Sequence, residues 1–313
     1  MRHAALRTLP TGLTALLILI AAGASVSACL QYYATDIEGH SIELEGFGPH
    51  HYIKYLTDHN QHMFHAHEKP DEPLAASVDY KQRSDQAATM VHEGKYAQAI
   101  EIFEAIEKEH PGEYVIAANL GTAYELSGNN EKALQWISEG IKRDPKSHFG
   151  TEWLHVKILE AKLALAKDPD WLKSHSVLGL NFENEARPKT PWQFPEGQDL
   201  KSTQKALEYQ LHERLEFVKP PDPIVADLLG DLGNIVALTL SVEHAKAVYD
   251  LALTYKPVHA DLITKRRDFM QSLASTDPSG IRSKVLPVVI VAGVAVGLLV
   301  LFLKRFLERA TRS

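Results

Sequence analysis

One cysteine, Cys29, is all that the 313 residues contain, so no disulfide can form within the chain. Stability has to come from packing. Signatures of catalysis are missing too: there is no G-x-S-x-G, no phosphate-cradling glycine loop and no H-E-x-x-H. Once Cys29 is assigned to export, no catalytic thiol is left. Paired carboxylates such as Glu107 and Glu109 fall in charged helix faces, where solvation accounts for them. These absences point away from an enzyme, and no cofactor is expected. Positive charge is also short, with 33 basic residues against 40 acidic. Setting aside residues 1–28 (two basic) and 284–313 (five basic, one acidic) leaves 26 against 39, a net charge of −13. A body that acidic is repelled by nucleic acid and by anionic headgroups. It suits a neutral or basic protein partner.

Long apolar runs occur only at the two ends. Near the N-terminus, Arg2 and Arg7 precede a greasy stretch over residues 13–22 and then small residues through Ala28. That order reads as a secretory signal covering residues 1–28, too short for a comfortable membrane span. An uncleaved N-terminal anchor is the other reading. Val26-Ser27-Ala28-Cys29 resembles the bacterial lipobox, with valine where leucine is commoner, and the resemblance implies lipidation at Cys29. The alternative is a stray cysteine beside an ordinary cleavage site. At the other end, residues 285–303 are nineteen without a charged or strongly polar side chain. At 1.5 Å per residue such a helix crosses about 30 Å of hydrocarbon. Lys304, Arg305, Arg309 and Arg312 follow in a basic tail, residues 304–313. The positive-inside rule puts that tail in the cytoplasm and the rest outside, as a single-pass protein of a bacterial cytoplasmic membrane with a periplasmic body. Gly293 and Gly297, spaced G-x-x-x-G, would allow two such helices to pair as a homodimer.

Between these ends the sequence repeats itself at an offset of 34 residues. Gly94, Ala99, Phe103 and Pro111 recur as Gly128, Ala133, Ile137 and Pro145. With Leu120, Gly121 and Tyr124, the stretch 114–147 resembles a unit of the tetratricopeptide-repeat family. The resemblance implies two antiparallel helices per unit, small residues such as Gly121 and Ala133 at their crossing, and a proline ending the second. The first helix of this unit is expected over about 113–127, a turn at Asn129-Asn130, and the second helix to about Arg143. A further unit, 226–259, keeps the same internal spacings through Gly233, Ala245, Tyr249 and Pro257. It starts 112 residues after Tyr114, not a multiple of 34, so something is inserted.

The domain reading follows: a His- and aromatic-rich arm, 29–75; two units, 76–147; and a split unit, 148–220. A last unit and capping helix (221–274) and a linker (275–284) come next. In the split unit a first helix over 148–166 carries His155 where a small residue belongs, and a second over 200–218 follows a Pro/Trp-rich insertion, 168–199. Trp171, Trp192 and Phe194 in that insertion ask for burial. The capping helix, 260–273, is expected to face inward with Leu262, Phe269 and Leu273. The expected fold is all-α: a helical-hairpin solenoid with one interrupted unit and a C-terminal transmembrane helix.

Family ligands commonly lie in the concave groove of the first helices. The resemblance places groove positions at Val115, Ala118, Thr122, Glu125 and Leu126, and at Lys81, Ser84, Ala88, Val91 and His92 in the preceding unit. The family's Lys/Asn clamp for a peptide carboxylate is absent. The partners expected are other envelope proteins or peptides, and the function a binding scaffold. A separate possibility lies in the arm, where six of sixteen histidines fall within residues 50–67. His62, His65 and His67 have the ligand type and spacing for a transition metal. Solvated histidines are the plainer reading.

Overall fold

The computed structural model describes residues 31–46, 48–58 and 79–274. The signal segment, Cys29, His62, His65, His67, the linker and residues 285–313 lie outside the described residues. Among the described residues no helix is long and apolar enough to cross a membrane.

The described chain is mostly helical, with ten α-helices and one small sheet. Two consecutive helical hairpins come first in the repeat region: α2 (Tyr80–His92) with α3 (Tyr96–Glu109), and α4 (Tyr114–Leu126) with α5 (Asn130–Arg143). Local chemistry sets their ends. The Asp79 side chain accepts from the Lys81 N–H and caps α2, and Asn129 accepts from the Lys132 N–H and caps α5. Gly94 and Gly128 occupy the two equivalent turns at φ +76° and +88°, conformations that other residues adopt only with strain.

The small residue of each helix crossing meets a large one sixteen positions later. A Cβ added to Gly121 would lie 2.5 Å from Ile137 Cδ1, and one added to Gly233 would lie 2.5 Å from Tyr249 Cε1. The partner of Gly121 at closest approach is therefore Ile137, not Ala133 as the spacing suggested. Ala133 is itself fully buried. The same relation recurring in α4–α5 and in α8 (Pro223–Thr239) with α9 (Val242–Thr254) marks both as one kind of hairpin.

Between them stand α6 (Glu152–Lys167) and α7 (Leu200–Phe217), joined by the insertion. The expected helix over 148–166 begins four residues late. A 3-10 turn, Ser147–Gly150, intervenes, and His148 and Phe149 adopt φ of +45° and +59°, which no α-helix accommodates. The insertion packs Leu172, Val177, Leu178, Leu180 and Phe182 into the core. Trp171 and Phe194 are partly buried there, but Trp192 is 84% exposed, against the expectation of burial.

Two apolar cores result, one within α2–α5 and one joining α1 (Pro49–Thr57), the insertion, α6–α9 and α10 (Ala260–Leu273). Helix α6 serves both, giving Leu159 to the first and Leu154, Ile158 and Ala161 to the second. The last helix, α10 (Ala260–Leu273), buries Ile263, Arg266 and Met270, and Phe269 and Leu273 of the expected stripe pack partly buried against the same core. The Arg266 guanidinium is held inside by Asn234 and by carbonyls of the insertion.

The all-α expectation needs a correction at the arm. Strands β1 (Gln31–Thr35) and β2 (Ser41–Glu45) pair antiparallel with Tyr33 opposite Glu43, and α1 (Pro49–Thr57) follows. This arm lies on the C-terminal half. Leu56 enters its core, the Tyr52 hydroxyl donates to Glu208 at 2.7 Å, and the Thr35 N–H donates to Glu243 at 3.0 Å.

Candidate protein-binding groove

Helices α2 and α4 lie side by side as first helices of their hairpins, and α7 closes over them. The space they enclose is a groove of about 270 Å³. From α4 it takes Ala118, Thr122 and Glu125, spaced i, i+4 and i+7 along one face, flanked by Asn119 and Leu126. From α2 it takes Ala88, Val91 and His92, and from α7 Gln210, Glu213, Arg214 and Phe217. Val115 stands apart from the groove and is 53% exposed. Lys81 and Ser84 also fall outside the lining.

The floor is charged and buried. Glu125, 5% exposed, accepts two hydrogen bonds from Arg214, at 2.6 and 3.2 Å. Lys162 Nζ lies 2.6 Å from the same carboxylate, and His155 Nε2 meets it at 2.6 Å. His155 Nδ1 is 3.6 Å from Glu152, which in turn is hydrogen-bonded to His148. Charge thus alternates from α7 through α4 to the rim. Burial drives the Glu125 carboxyl upward, but Arg214, His155 and Lys162 together overcome it and hold it well below the usual carboxylate range. Burial likewise opposes the lowering of Glu152, and hydrogen bonds from His148 and His155 bring it to about 2. Burial disfavours the charged forms of His148 and His155, yet their glutamate partners raise both.

The rim carries strain. His148 and Phe149 are consecutive non-glycine residues in the left-handed region, a cost of about 1–2 kcal/mol each. The turn is held by the Thr151 hydroxyl, which donates to the His148 carbonyl at 2.7 Å, and by the His148–Glu152 contact. It presents Phe149, 71% exposed, beside Tyr209 with ring centres 5.6 Å apart.

Residues 90–150 match the tetratricopeptide-repeat family. The matched stretch is similar to a tetratricopeptide-repeat segment. It runs from the end of α2 through α5 to the 3-10 turn and includes the α4 wall of the groove. No curated protein matches the chain. Such repeats are helical-hairpin arrays whose concave surfaces bind other proteins, without catalytic machinery as a rule.

Sequence reasoning missed much of the floor. Arg214 sits 89 positions from Glu125 and has no periodic signature linking them. His155 did leave a trace, as the misfit where the repeat wants a small residue. In the folded chain that misfit reaches the Glu125 carboxylate.

Proposed function

We propose that this protein is an exported, membrane-anchored scaffold whose groove between α2, α4 and α7 holds a segment of another envelope protein. The observation that carries the reading is the groove itself. The family's ligand-facing positions Ala118, Thr122 and Glu125 line one cleft with Ala88 and Val91 of the preceding unit. Apolar walls from Val91, Leu126 and Phe217 suit an apolar anchor. The exposed Glu213 and the acidic body favour a neutral or basic segment over an acidic one. The signal-like residues 1–28, the apolar run 285–303 and its basic flank support an anchored body on the outer face of a bacterial cytoplasmic membrane.

The test is capture of envelope proteins on the full chain, compared across three variants. Thr122→Arg and Asn119→Arg fill the groove and should cut recovery of a specific partner about tenfold, on the order of 1.4 kcal/mol. Val115→Arg, outside the groove, should leave it unchanged. Equal recovery by all three removes the groove from the reading.

A further inference from the structure

Away from the groove, a cavity of about 150 Å³ lies between α8, α10 and residues 172–184 of the insertion. Asp227 and Asp231, one helical turn apart on α8, line it with Asn234, His259 and Arg266. Most of these polar groups are committed to the protein. Asp227 Oδ2 accepts the Val177 N–H at 2.8 Å, and His259 Nε2 meets the Leu172 carbonyl at 3.0 Å. Asn234 Oδ1 accepts from the Tyr249 hydroxyl at 2.7 Å and from Arg266 Nη1 at 2.8 Å. The other Arg266 donors reach the carbonyls of Phe182, Glu183 and Glu185. Asp231 is different: it is 7% exposed and its Oδ2 is buried with no hydrogen-bond partner among the described residues. Buried polar atoms are normally satisfied, and an orphan at a cavity wall calls for an absent partner.

We propose that this cavity binds a small organic cation, a guanidinium or primary ammonium group, with Asp231 as its direct counter-charge and Asp227 beside it. The local charge fits. Two acids, Asp231 and Asp227, line the cavity with one guanidinium, Arg266, four of whose five N–H donors reach other groups. The volume is room for roughly five waters at about 30 Å³ each, enough for a guanidinium or short alkylammonium head. A metal ion fits less well, because among the described residues no three His, Cys, Asp or Glu side chains are grouped to hold one. The cavity adjoins a depression of about 550 Å³ that shares Asn184, Val258, His259 and Leu262 with it and adds Asp261 and Lys265 outside.

Binding here displaces a proton. Burial, and then Asp227, push the Asp231 carboxyl well above its ordinary range, while Arg266 opposes them; burial raises Asp227 to about 6. The groups facing the pair are Arg266 and His259 from the α10 side, Tyr249 from α9 and Glu183 from the insertion. That direction favours the protonated Asp231 carboxyl, and a cation beside it favours the carboxylate and expels the proton.

The experiment is calorimetric titration of the full chain at pH 6 with guanidinium chloride and with ethylammonium chloride at low millimolar concentration. Each is run in two buffers of different ionisation enthalpy, with acetamide as the neutral control. Saturable one-site binding with proton release is expected, no binding of acetamide, and at least tenfold weakening in Asp231→Asn. N-acetyl-arginine amide separates the two sources of the group. Tighter binding than guanidinium points to a partner's side chain, weaker binding to a free small molecule, and either supports the site. Absence of saturable binding, equal binding of acetamide, or unchanged affinity in folded Asp231→Asn overturns it. Should that variant not fold, binding to the native chain without proton release overturns it equally.

Discussion

Glu125 on α4 and Asp231 on α8 are both carboxylates in the first helix of a hairpin, and both are more than nine-tenths buried. Their surroundings drive them in opposite directions. Glu125 is met by Arg214, Lys162 and His155 and stays ionised. Asp231 has a second acid beside it and a guanidinium that bonds elsewhere, and it is pushed toward the neutral form. Burial is common to the two; the count of committed cations decides the sign. The groove half uses charge to bind helices together across the insertion. The C-terminal half keeps an acid with one oxygen unbonded among the described residues.

The largest effect that could break this comparison is expected at Arg214. Arg214→Met leaves Glu125 buried with Lys162 and His155 alone and should cost about 3–5 kcal/mol in urea unfolding. A loss below about 1 kcal/mol would mean the groove half does not depend on the pair. Next come the crossings the two halves share. Gly121→Ala and Gly233→Ala each force a Cβ to within 2.5 Å of Ile137 or Tyr249 and should destabilise by about 1–3 kcal/mol. Trimming the opposing side chain with Ile137→Val should return part of the loss at Gly121. Additive losses would show that the two do not press on each other.

Titration sharpens the contrast further. The lowered Glu125 and Glu152 contribute stability above the unfolded glutamate value near 4.3, and it is lost as pH falls through their lowered values, about 2 for Glu152. The raised His148 and His155 contribute fully below about 6.5, and that part is lost as pH rises through their raised values. The groove half should therefore be most stable between about pH 4.5 and 6.5. At Asp227 and Asp231 the sign reverses. Their raised values cost nothing below about pH 3.9; above it the cost grows until each carboxyl ionises in the fold, at about 6 for Asp227. Asp231→Asn should accordingly be more stable than the native chain by about 1–2 kcal/mol at pH 8 and nearly equal to it at pH 4. A pH-independent difference between the two unfolding curves would refute that assignment. The smallest effect is expected at Tyr249→Phe. It removes one of two donors to Asn234 and should cost about 1 kcal/mol, because Arg266 still satisfies the amide oxygen.

What the sequence determined by itself is local. A 34-residue period, glycines at the turns and prolines after the second helices specify the α2–α5 hairpins. The helix expected over 113–127 is observed as Tyr114–Leu126. Each residue's side of a helix follows from its position in the period, so Ala118, Thr122 and Glu125 were legible as one face. Helix ends were legible where a cap or glycine fixes them and not where strain does, as at His148 and Phe149. The β-hairpin was not legible, since its short strands rest on Glu243 and α9, some 200 positions away.

Only the tertiary structure decided what each buried charge touches. Glu125 and Arg214 are joined through α6 and the whole insertion. Arg266, which lines the same cavity as Asp231, bonds Asn234 and the carbonyls of residues 182–185. Periodicity encodes a face and its neighbours within a turn or two. It carries no record of which distant cation arrives there, and in a low-dielectric interior that arrival sets the protonation state.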